Sequence, residues 1–203
     1  MSVITVSRHF GAGGRTLGEM VSKRLGYAFY DNEVIQLVSI KAKVSEEEVQ
    51  SLEKDSRGAF KKLISGIAPK SLHDLVLSRK QGVIDEEVYV DVLRKIINEI
   101  ADEGKAVIIG RGSQYILEDS PDAYHVLITA DMEDRIKFME EKHDLTHEQA
   151  VKAVNDEDKR RANLYSKFGQ IDYDQPDRYH LVLNTSLLDL DSACEMMCEL
   201  VSA

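Results

Sequence analysis

Short apolar runs alternate with longer amphipathic stretches along the chain, and this alternation predicts strands and helices in turn. The apolar runs are short and rich in β-branched residues, which is typical of buried parallel strands. Five strands are predicted, at Val3–Ser7, Tyr27–Tyr30, Ala106–Ile109, His125–Thr129 and Tyr179–Leu183. Between them, apolar residues recur at helical spacing, as Leu17, Val21 and Leu25 do before Gly26 ends the first helix. We therefore predict an α/β fold with a parallel sheet of about five strands.

The middle of the chain has a weaker pattern. Residues 34–80 are charged and helical in character, and residues 56–79 are the least readable part. A capping box is predicted at Ser45, because Glu48 follows it three residues later. We interpret this part of the chain as a helical insert.

Composition and charge limit the function classes. Asp and Glu outnumber Lys and Arg by 36 to 26, which gives a formal net charge of −10. This balance argues against a broad basic surface for nucleic acid, so any phosphate chemistry depends on local arginines and backbone N–H groups. No apolar run approaches the ~20 residues that cross a bilayer, and no signal peptide is visible, so we expect a cytoplasmic protein. Cys194 and Cys198 lack zinc-spaced partners, which indicates reduced core thiols.

The segment between the first strand and the first helix carries the strongest chemical signal. It reads SRHFGAGGRT from Ser7 to Thr16. A glycine loop in this position turns successive N–H groups toward one point, where the helix dipole adds positive charge. We therefore predict a phosphate-binding loop. Its predicted contact residues are Arg8, His9, Phe10, Gly11, Ala12, Gly13, Gly14 and Thr16.

This loop departs from the usual pattern G-x-x-x-x-G-K-[ST]. In one register Gly14 is the last glycine, Arg15 replaces the lysine and Thr16 supplies a hydroxyl for Mg²⁺. In the other, which we prefer because it needs no gap through the following helix, Gly13 is the last glycine and Gly14 stands at the lysine position. Both registers lack the ammonium group, so Arg8 or Arg15 would have to bring positive charge to the β- and γ-phosphates.

The stretch from Ile4 to Asp31 is similar to the opening of the cytidylate kinase-like family. Members of that family resemble bacterial cytidylate kinases but commonly carry an altered, lysine-free loop. The resemblance continues at Gly110-Arg111-Gly112, where cytidylate kinases have Gly-Arg-Asp and the arginine binds the acceptor monophosphate; here Gly112 replaces the aspartate. Further similar segments are 127–131 with Arg135 after it, 158–161 and 181–186.

The resemblance implies a P-loop NTPase-type fold with three α/β/α layers. It also implies a single domain over residues 1–203, with a helical acceptor-binding insert at 32–84 and a lid region at 143–176. The match is weak over residues 44–81, where acceptor specificity would lie.

Other candidate site residues follow strands or belong to the lid. Arg111 and Asp31 each follow a predicted strand, where ligands bind in open α/β sheets, so both are candidates to bind the acceptor. Asp31 suits a helix N-cap nearly as well. Four arginines are candidates to stabilise the transferring phosphoryl group: Arg15, Arg135, Arg160 and Arg161. The last two lie among acidic residues, which is also typical of a solvated helix with salt bridges.

The resemblance implies an ATP- and Mg²⁺-dependent phosphotransferase acting on a nucleoside monophosphate, with CMP as the suggested acceptor. Two alternatives stay open: a kinase of another small metabolite, and a non-catalytic nucleotide-binding or regulatory protein. The unmatched residues 44–81 favour the first, and the missing lysine favours the second. The expected partners are a nucleotide and a small-molecule acceptor, not nucleic acid or a membrane. Similar chains often pair through helical faces, so a homodimer is a possible assembly.

Overall fold

The computed structural model describes residues 2–54, 86–170 and 172–202. Its strands are β1 (Val3–Arg8), β2 (Ala28–Tyr30), β3 (Ala106–Ile109), β4 (Ala123–Thr129) and β5 (Leu181–Asn184). They form one parallel sheet in the order β2-β3-β1-β4-β5, which confirms the predicted fold class. Because β1 is the central strand, the loop that follows it lies at the middle of the sheet's carboxyl edge.

The helices alternate with these strands along the chain. In the described ranges they are α1 (Gly14–Leu25), α2 (Asn32–Ala42), α3 (Glu46–Lys54), α4 (Glu86–Glu103), α5 (Ser113–Ile116), α6 (Met132–His143), α7 (His147–Ser166) and α8 (Leu190–Leu200). A 3-10 turn, Pro176–Arg178, precedes β5. It makes β5 begin two residues later than predicted, because Tyr179 N–H donates to the Pro176 carbonyl at 3.1 Å instead of joining the sheet.

Helices cover both faces of the sheet because its strands are apolar on both sides. On one face, Ile4 packs in a cluster with Leu17 of α1 and Met197 of α8. On the other, Ile108 packs in a cluster with Leu93 of α4 and with buried residues of α2. Alternate residues of each strand thus enter two separate cores, which gives the expected three layers.

The middle of the chain is partly described. The capping box at the start of α3 is present: Glu48 N–H donates to Ser45 Oγ at 3.2 Å, and Ser45 N–H donates to Glu48 Oε2 at 2.8 Å. The least readable stretch, 56–79, lies outside the described residues. Most of the predicted insert lies there too, so the boundaries 32–84 and 143–176 stay predictions.

The structure also bears on the cysteines and on the length of apolar helices. Cys194 is buried as predicted for a core residue, whereas Cys198 is only half-buried; both are free thiols in the structure. None of the helices in the described ranges is both long enough and apolar enough to cross a bilayer.

Candidate functional site

The loop between β1 and α1 requires glycine at two positions. Gly11 and Gly13 have φ values of 83° and 75°, a region that side-chain-bearing residues rarely adopt. A Cβ atom on Gly11 would also lie 2.8 Å from the carbonyl oxygen of Arg135. The backbone therefore follows a tight path that ends at the first turn of α1.

The amides of this loop are open to a ligand. Ala12 N–H donates to the His9 carbonyl at 3.2 Å. The N–H groups of Gly13, Gly14 and Arg15, in contrast, have no acceptor among the residues that the structure describes. These three amides begin a helix, where unpaired N–H groups are suited to bind an oxyanion.

Arg8 extends from the end of β1 across the mouth of this loop. A Cβ atom on Gly14 would lie 2.6 Å from Arg8 Cβ, and one on Gly110 would clash with the Arg8 guanidinium. Glycine at both positions thus makes room for the Arg8 side chain. Burial lowers the pKa of Arg8, and the nearby Arg111 lowers it further, while Asp31 opposes both effects.

Asp31 lies between the two arginines of the phosphate loop. Its carboxylate is 3.6 Å from Arg8 Nη2 and 3.2 Å from Arg15 Nη1. Asp31 occupies the N-cap position of α2, one of the two roles considered for it, but its side chain caps no helix N–H and its carboxylate makes these ion pairs instead. Arg15 itself is exposed and also pairs with Glu19 at 3.2 Å.

Arg111, after β3, is buried beside an acidic residue that sequence reasoning missed. Its Nη1 donates to Glu53 Oε2, and the hydroxyl of Tyr89 donates to Glu53 Oε1 at 2.7 Å. Although burial alone would lower it, the charge of Glu53 leaves the pKa of Arg111 raised. Arg111 is thus a fixed positive charge at the carboxyl edge of the sheet.

The other arginines take different places. Arg135 is buried and donates from Nε to the Phe10 carbonyl at 2.7 Å and from Nη2 to Asp158 at 2.6 Å, so it ties α6 and α7 to the loop. Arg160 faces the cleft, with Nη2 2.5 Å from Glu157.

Arg161 makes a two-pronged pair with Asp174, at 3.1 and 2.5 Å. Burial works against its charge, but Tyr165 and Asp174 leave the pKa of Arg161 raised. His9 Nε2 lies 3.4 Å from the same Asp174 carboxylate. This links the predicted loop residue His9 to the predicted lid residue Arg161 through a carboxylate that sequence reasoning did not single out.

The structure brings several predicted residues to one cleft at the carboxyl edge of the sheet. Its lining is Arg8, Phe10, Glu53, Gly110, Arg111, Glu157, Arg160, Arg161, Leu164 and Tyr165. Four arginines line the cleft, and each has a carboxylate partner: Glu53 and Glu157 within the lining, and Asp31 and Asp174 beside it. In a protein whose net charge is −10, four guanidinium groups in one cleft are the donors that suit an anionic ligand.

Other predicted residues lie beside the cleft. Arg135 contacts the loop through the Phe10 carbonyl. Arg15 and Thr16 are exposed on the first turn of α1. The exposed Thr16 hydroxyl has no hydrogen-bond partner among the described residues and follows the open amides, a position that fits Mg²⁺ bound together with substrate phosphates. The described residues contain no cluster of three acidic, His or Cys side chains that would hold a metal by itself.

A family model for the cytidylate kinase-like family matches residues 3–187. The chain belongs to the cytidylate kinase-like family. The match spans both the loop after β1 and Arg111, so it covers the segments of this chain that form the cleft. No curated protein matches the chain.

Solved structures agree with this membership at the level of the fold. An uncharacterised protein from Eubacterium ventriosum is 17% identical, with a TM-score of 0.68 over 100% of this chain and 99% of its own. Shikimate kinase from Bacteroides thetaiotaomicron is 13% identical, with a TM-score of 0.52 over 100% of this chain and 99% of its own. The protein TT1252 from Thermus thermophilus is 19% identical, with a TM-score of 0.50 over 98% of this chain and 96% of its own. The fold of this cytidylate kinase-like chain is therefore that of P-loop kinases.

Proposed function

We propose that the protein transfers the γ-phosphoryl group of ATP to a nucleoside monophosphate, with CMP as the preferred acceptor. Family membership and the P-loop kinase fold support a phosphotransferase. The observation that carries the proposal is the open loop at the start of α1, whose amides lie next to a cleft lined by four arginines. In this proposal the loop binds the donor phosphates and the adjacent cleft binds the acceptor phosphate.

The acceptor class follows from the guanidinium groups of the cleft. A phosphate monoester carries about −1.5 to −2 near neutral pH and has three acceptor oxygens, which suit these donors. Arg111 and Arg160 bring planar guanidinium groups, which bind phosphate oxygens in pairs. A neutral acceptor such as a sugar has no anionic oxygens for these guanidinium groups to bind.

In the proposed reaction an oxygen of the acceptor phosphate attacks the γ-phosphorus. The bond between that phosphorus and the bridging oxygen of the donor breaks, so ADP leaves and the acceptor becomes a diphosphate. Such transfer depends on in-line positioning and on positive charge around the phosphoryl oxygens rather than on covalent help from the protein. Arg8 and Arg160 line the cleft and would supply that charge.

The absent lysine is replaced, in this proposal, by two arginines held by one aspartate. Asp31 keeps Arg8 at the mouth of the loop and Arg15 at the first turn of α1. Mg²⁺ bound with the donor phosphates would neutralise their charge, with Thr16 as its protein ligand.

The proposal is tested with purified protein, ATP and Mg²⁺ against the panel of nucleoside monophosphates. CMP turnover is expected to be fastest. Arg111→Ala should raise the KM for CMP, whereas Arg15→Ala should weaken ATP binding. Arg24→Ala is the matched control, because Arg24 lies on the same helix but pairs with Glu195 at 3.3 Å, away from the cleft. The proposal is refuted if none of the monophosphates in the panel is phosphorylated.

A further inference from the structure

Glu53 is a buried carboxylate in the cleft that the proposed reaction does not use. It lies near the end of α3 and is 1% exposed. Its two oxygens accept hydrogen bonds from Tyr89 and Arg111. A carboxylate is costly to bury without such partners, so this charge is held in the cleft by specific donors.

These donors come from separate parts of the chain. Tyr89 belongs to α4, Arg111 follows β3, and Arg160 of α7 places Nη1 4.0 Å from Glu53 Oε2. One carboxylate therefore lies between two guanidinium groups and a hydroxyl. The two guanidinium groups suit the oxyanion of a ligand equally well, because phosphate and carboxylate oxygens make the same charge-assisted hydrogen bonds with them.

Arg111 is the fixed member of this group. Its φ of 60° is left-handed, and it stands between Gly110 and Gly112 with φ values of 66° and 68°. A Cβ atom on Gly112 would lie 2.6 Å from the Phe168 ring, so the packing allows this path only to glycine at that position. A side-chain-bearing residue persists in such a conformation only where its surroundings hold it. If a ligand anion replaced the Glu53 carboxylate beside Arg111, the side chain that moves would therefore be Glu53 rather than Arg111.

We infer that the Glu53 carboxylate occupies the position of the acceptor's anion, and that an acceptor binds by displacing it. The inference rests on the proposed function of the cleft. Glu53 then sets a threshold for binding. A ligand with a single negative charge offers the arginines no more than Glu53 does, whereas a phosphate monoester offers about −1.5 to −2 and three acceptor oxygens. Glu53 is thus a specificity-determining residue that favours phosphate-bearing acceptors.

The experiment measures the affinity of the full chain for inorganic phosphate by calorimetry, in the wild type and in Glu53→Gln. When Glu53 occupies the site, only the fraction of molecules with an open site can bind, and the apparent affinity falls in proportion. Removing the Glu53 carboxylate should therefore tighten phosphate binding by about fivefold or more. Glu157→Gln is the matched control. It removes one negative charge from the same lining but leaves Arg111 and Glu53 paired, so its effect should stay within about twofold.

A second variant covers the case in which Glu53→Gln does not fold. Tyr89→Phe keeps every charge and the ring but removes the hydroxyl that holds Glu53, so it should also tighten phosphate binding, by a smaller factor. Unchanged or weaker phosphate binding in the folded Glu53 variant, or in Tyr89→Phe where that variant alone folds, would overturn the inference. The proposed kinase function is judged separately, by CMP phosphorylation in the wild type and its impairment in Arg111→Ala. Failure of the inference about Glu53 is thus distinguishable from failure of the proposed function.

Discussion

His125 provides a test of the sheet core through the pH dependence of stability. It lies on β4 opposite Thr5 of β1, is 5% exposed, and its Nδ1 lies 2.8 Å from Thr5 Oγ1. Burial, with a smaller contribution from the neighbouring His180, lowers the pKa of His125 to about 4. The folded protein therefore holds this ring neutral, with the hydroxyl of Thr5 as its partner.

The sign follows from linkage. The unfolded chain binds a proton at His125 near its ordinary pKa of 6.5, whereas the folded chain binds it only near 4. The unfolded state thus gains protons first, and stability is lost as the pH falls from about 6.5 to about 4. Since each pKa unit corresponds to about 1.4 kcal/mol, the full loss is about 3 kcal/mol, of which about 2 kcal/mol is reached between pH 7 and pH 4.5.

The assay is urea unfolding of the wild type and of His125→Gln at about pH 7 and about pH 4.5. Glutamine keeps a polar group for Thr5 but does not titrate, so the variant should lose about 2 kcal/mol less than the wild type over this interval. His180→Gln is the control, because the exposed His180 makes only the smaller contribution to the shift and its removal should retain most of the pH dependence. Equal pH dependence in the wild type and His125→Gln would refute the reasoning.

Three further predictions concern the cleft and its loop. Gly11→Ala should lower the free energy of unfolding by about 2 kcal/mol or more and weaken ATP binding. Gly26→Ala is the control: Gly26 has a φ of 67° but open space around it, so the loss should be only about 1 kcal/mol. Equal losses of stability in thermal unfolding would contradict the clash at Gly11. Asp31→Asn should weaken ATP binding about tenfold because Arg8 and Arg15 lose their shared partner, and calorimetric affinity equal to wild type would disprove this role. Asp174→Asn should lower the free energy of unfolding by about 3 kcal/mol because Arg161 stays buried without a carboxylate, and a loss below about 1 kcal/mol in urea unfolding would count against it.

Features that depend on neighbouring residues were predictable from the sequence. The strand β1, the glycine loop and α1 follow each other directly, so their patterns identify one unit and its helix start. The capping box at Ser45 is likewise a local signal, because both of its hydrogen bonds join residues three positions apart. The parallel sheet followed from the alternation of strands and helices, since a parallel neighbour needs a crossover connection.

Contacts between distant residues were not predictable in the same way. Glu53 and Arg111 are 58 positions apart, and no periodic pattern indicates that the end of α3 faces the end of β3. Asp31 shows a related difficulty. An aspartate before a helix suits an N-cap and an ion pair equally in sequence, and only the positions of Arg8 and Arg15 decide between them.

The ion pairs also bear on the loss of the loop lysine. A lysine brings one compact charge on a flexible stem, whereas each arginine brings a planar group that must be held in orientation to be useful. Asp31 holds Arg8 and Arg15, Glu53 holds Arg111, and Asp174 holds Arg161. Each carboxylate orients a guanidinium but also cancels part of its charge. In the proposed reaction these two effects separate: Asp31 would hold Arg8 and Arg15 for the donor, whereas Glu53 would compete with the acceptor. Variants that remove a carboxylate therefore distinguish the two roles, because ATP binding should weaken in Asp31→Asn and phosphate binding should tighten in Glu53→Gln.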